Sequence, residues 1–131
     1  MEEHPNVERT RRGFRAFVER DGATIADLLR EDIVWIIPGR NVLAGRYEGR
    51  EAAMRALGQA VELTDGTYTT ELGRVLADGN TVVAIYRARG RRKGRELDVA
   101  QALVCEVEDG RWVEVRAVPF DQHAFDEFWS E

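Results

Sequence analysis

Residues 67–118 decide the fold class, and they run TYTTELGRVLADGNTVVAIYRARGRRKGRELDVAQALVCEVEDGRWVEVRAV. Asp78-Gly79 and Asp109-Gly110 are residue pairs typical of tight hairpin turns, and each is flanked by strand-like segments. We therefore predict four long antiparallel strands, over 67–77, 81–89, 96–108 and 111–118. Residues 90–94 form the predicted loop between the two hairpins.

The chain before residue 67 has a helical period instead, apart from one buried strand. That strand is predicted at residues 33–37 (IVWII), which end at Pro38-Gly39. Apolar residues at helical spacing predict three helices before residue 67 and one at the C-terminus: Val7, Phe14, Phe17 and Val18; Ile25, Leu28 and Leu29; Met54, Leu57 and Val61; Phe125, Phe128 and Trp129. The order is α-α-β-α-β-β-β-β-α, an α+β fold with helices packed on one face of the sheet.

The composition is that of one soluble globular domain, which we predict over 1–131. The chain has 131 residues and a net charge of −5, a poor match to a dedicated nucleic-acid binder. It contains no apolar run of the roughly 20 residues needed to cross a bilayer, and its start does not look like a secretory signal. We expect a cytoplasmic protein without nucleic-acid or membrane partners.

Metal and disulfide sites are not expected from this sequence. Cys105 is the single cysteine, which excludes an internal disulfide framework and a multi-cysteine metal site. His4 and His123 have no partners at metal-ligand spacing. No glycine-rich phosphate loop precedes a helix. We predict neither a metal nor a cofactor.

Several short motifs, in this order and spacing, resemble the nuclear-transport-factor-2-like (NTF2-like) superfamily, in its SnoaL-like and ketosteroid-isomerase-like branch. The matching segments are 28–35 (LLREDIVW) with Pro38, 47–52 (YEGREA), 97–99 (LDV), 109–112 (DGRW), 120–122 (FDQ) and 125–129 (FDEFW). The resemblance spans nearly the whole chain. It implies a cone-shaped α+β barrel, in which a curved, mainly antiparallel sheet packs on the N-terminal helices around an apolar cavity. It also implies a homodimer through the outer face of the sheet.

Two activities of the superfamily are not supported by the residues at their matching positions. The ketosteroid isomerase base corresponds to Ile37, its tyrosine to Phe14 or Phe17, and its protonated acid to Gln101. Without a base, nothing removes the substrate proton. In the comparison with limonene epoxide hydrolase only Asp98 matches, since Glu96 occupies the arginine position and Ala117 stands near the second aspartate.

Asp121 is the best remaining candidate for acid–base chemistry. The resemblance to polyketide cyclases implies an aspartate acting as acid and base near this position, and His123 could assist because its charge changes near neutral pH. The alternative is that Asp121 caps the last helix. Asp98 is a third catalytic candidate, and the alternative is a strand residue that is either solvated or paired with Arg95.

Gln101 is predicted to lie on an apolar row of its strand, with Val99, Leu103 and Cys105. A buried amide without partners costs about 1–3 kcal/mol, so it should meet a ligand, whose carbonyl it would orient, or else a neighbouring polar side chain or a buried water. Cys105 is interpreted as a core residue. The predicted substrate-binding residues are Phe14, Phe17, Trp35, Ile37, Met54, Leu57 and Gln101.

A basic cluster surrounds the predicted loop and is interpreted as a solvated hairpin, with attraction of an anionic partner as the alternative. Its members are Arg87, Arg89, Arg91, Arg92, Lys93 and Arg95.

Three functional hypotheses remain open. The first is a cofactor-independent enzyme, of cyclase or isomerase type, acting on a small apolar carbonyl compound. The second is a non-catalytic protein that binds such a ligand. The third is a protein-interaction module, which should expose Phe125, Phe128 and Trp129.

Overall fold

The computed structural model describes residues 4–131 and has the predicted element order with one added strand. Residues 1–3, part of the start that does not look like a secretory signal, lie outside the described residues. The helices are α1 (Pro5–Val18), α2 (Gly22–Leu28), α3 (Arg50–Leu63) and α4 (Gln122–Phe128). The strands are β1 (Leu29–Ile37), β2 (Gly45–Glu48), β3 (Thr69–Asp78), β4 (Thr81–Arg92), β5 (Arg95–Glu108) and β6 (Arg111–Pro119). The added strand is β2, which pairs with the end of β1.

The six strands form one curved sheet in the order β2-β1-β6-β5-β4-β3. Neighbouring strands are antiparallel except β1 and β6, which pair in parallel with Trp35 beside Val115. This pairing joins the first strand of the chain to the last. The α+β fold with a mainly antiparallel sheet is therefore confirmed.

The long strands are joined by turns of two residues. Asp109 and Gly110 both have positive φ values, 51° and 77°, as a type I′ hairpin turn requires. Lys93 and Gly94 adopt the same conformation, at 51° and 75°. As a result β4 and β5 extend to the turn, and the loop predicted over 90–94 is absent. The first hairpin turns at residues 79–80, one residue later than predicted.

One face of the sheet is covered by the helices. Burial alternates along β4, where Val82, Ala84, Tyr86 and Ala88 are buried and the residues between them are more exposed. On the covered face α1 packs against β3 and β4, and α3 packs against β1. None of the helices within residues 4–131 has the length and apolar character needed to cross a bilayer.

The C-terminal helix is held by two arginines of the basic cluster. Arg95 donates hydrogen bonds to the carbonyl oxygens of Glu127, Phe128 and Ser130, at 3.0, 3.0 and 3.1 Å. Arg92 is buried and also donates to the Ser130 carbonyl. These cations satisfy carbonyl groups at the end of α4 and oppose its negative dipole. The interpretation of the whole cluster as a solvated hairpin is therefore wrong for these two residues.

The aromatic residues of the C-terminal segment belong to the core. Phe125, Phe128 and Trp129 are 4%, 2% and 1% exposed. The rings of Phe128 and Trp129 meet edge to face, with centroids 4.8 Å apart. The exposed aromatic surface expected of a protein-interaction module is absent from this segment.

A close approach between α1 and the sheet depends on Gly13. A Cβ atom at this position would lie 2.8 Å from Cη2 of the buried Trp112 ring. Gly58, in the middle of α3, has open space around its Cα. Gly13 and Gly58 therefore differ in their tolerance of a methyl group.

We predict opposite effects for the two alanine substitutions. Gly58→Ala should stabilise the protein by about 1 kcal/mol, because alanine favours the helix. Gly13→Ala should destabilise it by about 1–3 kcal/mol, because the overlap with Trp112 outweighs that gain. Urea unfolding of both variants measures the difference, and equal stabilisation by both would contradict the proposed contact.

Candidate functional site

A cavity lies between the covered face of the sheet and helices α1 and α3. Its volume is about 90 Å³. The residues that line it are mostly apolar or aromatic: Gly13, Phe14, Phe17, Ile25, Trp35, Ile37, Leu43, Ala56, Leu57, Ala60, Tyr68, Thr70, Tyr86, Gln101, Leu103, Trp112 and Ala117. None of these lining residues, all within the described part of the chain, is Asp, Glu, His, Lys or Arg.

Six of the seven predicted substrate-binding residues line this cavity: Phe14, Phe17, Trp35, Ile37, Leu57 and Gln101. The seventh, Met54, does not. It is only partly buried on α3, and its methyl group lies beside Gly22 at the start of α2. The helical stripe that contains Met54 and Leu57 thus contacts two different neighbours, because only part of the stripe faces the sheet.

The most polar position inside the cavity is a pair of residues on neighbouring strands. Gln101 of β5 stands opposite Tyr86 of β4 and donates a hydrogen bond of 2.7 Å from Nε2 to the Tyr86 hydroxyl oxygen. Gln101 is 2% exposed and Tyr86 is 6% exposed. The Oε1 atom of Gln101 is buried and has no hydrogen-bond partner among the described residues. The amide of Gln101 therefore bonds a neighbouring polar side chain, which was one of the alternatives predicted from the sequence, and its oxygen is still free to accept a hydrogen bond.

Tyr86 is the cavity residue whose absence from the sequence predictions matters most. The alternation along β4 could have placed its side chain on the buried face. Its position opposite Gln101, however, depends on the register of the β4–β5 hairpin. That register changes when the turn between these two strands moves by one residue.

Two further hydroxyl groups lie at the cavity wall. Tyr68 contributes one, and Thr70 contributes another whose Oγ1 is buried without a partner in the described structure. Burial raises the pKa of Tyr68, and it raises the pKa of Tyr86 well above its usual value. Both tyrosines therefore keep their protons at neutral pH and act as neutral hydrogen-bonding groups.

The cavity adjoins a groove between α1 and β3. Phe14 and Thr70 line both spaces, and the groove is also bordered by Arg11, Arg15 and Glu19. The groove is therefore the side on which a bound molecule could extend beyond the enclosed space.

The three predicted acid–base residues lie outside the cavity lining. Asp121 is exposed and caps α4, where its Oδ1 accepts a hydrogen bond of 3.0 Å from the Ala124 amide. The His123 side chain is 90% exposed, and its Nε2 lies 3.5 Å from a carboxylate oxygen of Glu127. The structure thus gives Asp121 the capping geometry that was the alternative to catalysis.

Asp98 is on the exposed face of the sheet. Its side chain is 57% exposed, in line with the solvated alternative, and its partners are Arg87 and, at 3.5 Å, Arg89 rather than Arg95. The structure therefore does not bring the predicted acid–base residues to the apolar residues that line the cavity; these residues are Asp98, Asp121 and His123.

Cys105 follows the expectation of a core residue. Its thiol is buried on the same strand as Gln101, and burial raises its pKa to about 12. A protonated thiol is a poor nucleophile. Within residues 4–131 no three His, Cys, Asp or Glu side chains come together as a metal site requires.

We predict that the stability effects of the Tyr86–Gln101 pair are strongly coupled. Tyr86→Phe leaves the whole Gln101 amide unpaired and should cost about 1–3 kcal/mol. The double variant Tyr86→Phe/Gln101→Met replaces both groups with apolar side chains of similar size, so it should be more stable than Tyr86→Phe alone. Urea unfolding of the wild type, both single variants and the double variant measures this coupling. Additive effects would contradict the pairing.

Comparison with known proteins identifies a matching family and a relative of similar length. The model of the SnoaL-like domain family matches residues 10–115. An uncharacterized protein of Mycobacterium tuberculosis is 33% identical over 132 aligned positions, which cover 99% of this chain and 100% of that protein.

Solved structures agree with this match. Bal32a, from a soil-derived mobile gene cassette, has a TM-score of 0.93 and 37% identity, covering 95% of this chain and 96% of its own. A protein of unknown function with a cystatin-like fold from Xanthomonas campestris has a TM-score of 0.90 and 27% identity, covering 96% and 98%. The cone-like sheet, the cavity position and these matches together show that the chain belongs to the SnoaL-like domain family of the NTF2-like superfamily.

Proposed function

We propose that the protein binds a small, neutral and mostly apolar organic molecule in the cavity, and that the Tyr86–Gln101 pair anchors it. The observation that carries this proposal is the buried, unpaired Oε1 of Gln101 at the wall of an apolar cavity. Leaving such an acceptor unpaired costs about 1–3 kcal/mol, which a bound ligand can recover. We expect this binding to take place in the cytoplasm.

The cavity volume limits the enclosed part of the ligand. A cavity of about 90 Å³ is smaller than the roughly 150 Å³ in which benzene binds an engineered protein cavity. By that comparison the enclosed part has about four non-hydrogen atoms. Any larger remainder would extend past Phe14 and Thr70 towards the groove.

We favour binding over acid–base catalysis because, among the described residues, the cavity wall has no base that is ionised near neutral pH. Its ionisable residues are Tyr68 and Tyr86, whose pKa values are raised by burial. Asp121 and Asp98 have structural partners elsewhere, in the Ala124 amide and the Arg87 guanidinium. A proton abstraction from an enclosed ligand therefore lacks an acceptor among these groups.

We also propose that the protein forms a homodimer through the face of the sheet that the helices leave uncovered. Val83 pairs with Val104, and Ala102 pairs with Val118, so apolar residues run side by side across β4, β5 and β6. Val118 is 37% exposed. The strip is bordered by both signs of charge, such as Arg116 beside Glu114, which allows a twofold-related copy to match acid with base.

Ligand binding is tested by filling the cavity. Cyclopentanol should shift the amide NMR signals of cavity residues in the wild type. In Ala117→Leu these shifts should be lost or need at least about tenfold more ligand, because the larger side chain occupies the space. Val118→Leu is the matched control, since the neighbouring side chain points to the uncovered face, and it should bind as the wild type does. Shifts that persist unchanged in Ala117→Leu would contradict binding in the cavity.

The dimer is tested by placing a charge on the apolar strip. Val118→Arg should give a monomer, because an arginine facing its own copy is buried without a partner. Val18→Arg, at a valine of α1 that is 47% exposed, should leave the dimer intact. Light scattering after gel filtration measures the mass of each. A monomeric wild type, or a dimeric Val118→Arg, would contradict the proposed interface.

A further inference from the structure

The Tyr86–Gln101 pair has hydrogen-bonding groups of both kinds, donor and acceptor, inside the cavity. We propose that it selects neutral ligands that carry a hydroxyl or another adjoining donor and acceptor, and that it discriminates against ligands that only accept hydrogen bonds, such as ketones and ethers. This inference rests on the proposed binding function and specifies its ligand class. It also replaces the sequence-based expectation that Gln101 orients a carbonyl.

The first step is a count of the hydrogen-bonding groups that the pair leaves free. Nε2 of Gln101 donates to the Tyr86 hydroxyl oxygen at 2.7 Å. The hydrogen of that hydroxyl then has no acceptor among the described residues, and Oε1 of Gln101 has no donor. Because the Gln101 nitrogen carries a second hydrogen, which also has no acceptor among the described residues, the pair offers two donors and one acceptor.

The second step is that this count does not depend on the orientation of the amide. Oxygen and nitrogen of a glutamine amide can exchange places by a half-turn of the group. After that turn the Tyr86 hydroxyl donates to Oε1, the two hydrogens of the Gln101 nitrogen are the free donors, and the Tyr86 oxygen is the free acceptor. Two donors and one acceptor are again left.

The third step is the match to ligand chemistry. A hydroxyl group both donates and accepts, so it can pair with the free donors and with the free acceptor. A carbonyl or ether oxygen only accepts and leaves the buried acceptor unpaired. A site with a buried polar group rejects a ligand that leaves this group unpaired more strongly than an apolar pocket of the same shape distinguishes the two ligands.

The charge of the ligand follows from the same surroundings. Among the described residues the cavity wall carries no cationic side chain, and most of the residues that line it are aromatic or aliphatic. An ionised carboxylate would lose its hydration there without a counter-ion. The selected class is therefore neutral, such as alcohols, and excludes carboxylate anions.

The test compares three five-membered rings that share one carbon frame: cyclopentanol, cyclopentanone and cyclopentane. Dissociation constants are measured by NMR titration of the whole protein, following the amide signals of cavity residues. In the wild type we expect cyclopentanol to bind at least about fivefold more tightly than cyclopentanone. In Tyr86→Phe/Gln101→Met the two should differ by less than about twofold, because the pair that distinguishes them has been removed.

The control variant is Cys105→Ala, which changes a buried residue of β5 that does not line the cavity. It should keep the preference for the alcohol. Retention of the preference in Tyr86→Phe/Gln101→Met would overturn the assignment to this pair.

The two proposals fail in different ways. If all three rings bind the wild-type cavity with equal affinity, the selection of hydroxyl groups and the anchoring by the pair are overturned, and binding in the cavity stands. If none of the rings shifts any cavity residue, the binding function fails and the selection fails with it.

Discussion

The central interaction of this protein is the hydrogen bond between Gln101 and Tyr86, buried in an otherwise apolar space. It joins two residues that face each other across the β4–β5 ladder. The bond satisfies part of each polar group and leaves one acceptor unpaired. A fully apolar pair of the same size would avoid this cost, so its presence in a small cavity supports a role in recognition rather than in stability.

The cavity itself arises from side-chain size. Small residues such as Gly13, Ala56, Ala60 and Ala117 line it together with large aromatic rings. The rings set the distance between the helices and the sheet, and the small residues leave part of that space empty.

The segment next to the cavity residue Leu43 is held by hydrogen bonds to the C-terminal helix. Asp126 of α4 accepts hydrogen bonds from the amide of Arg40 and the side chain of Asn41, next to the cavity residue Leu43. Burial disfavours the charge of Asp126, but the hydrogen bonds from Asn41, Gln122 and Arg40 outweigh it and lower the pKa of this carboxyl.

Much of the fold and part of the candidate site could be predicted because they depend on local patterns. Turn pairs such as Asp109-Gly110 determine the hairpins, and the alternation along β5 is enough to place Gln101 among apolar residues. The contacts that were missed join residues far apart in the chain. Tyr86 meets Gln101 through a register that a one-residue error destroys, and Arg95 meets the end of α4 across more than 30 residues. For Asp121 the sequence allowed both a cap and an acid, and the structure has the hydrogen bond of a cap.

The most direct measurement is a crystal structure of the protein with cyclopentanol. The account predicts the ring among Phe14, Trp35 and Leu103, with the ligand oxygen within hydrogen-bond distance of both Gln101 and Tyr86. An alcohol found only on the surface, or enclosed with its oxygen turned away from both residues, would contradict the account.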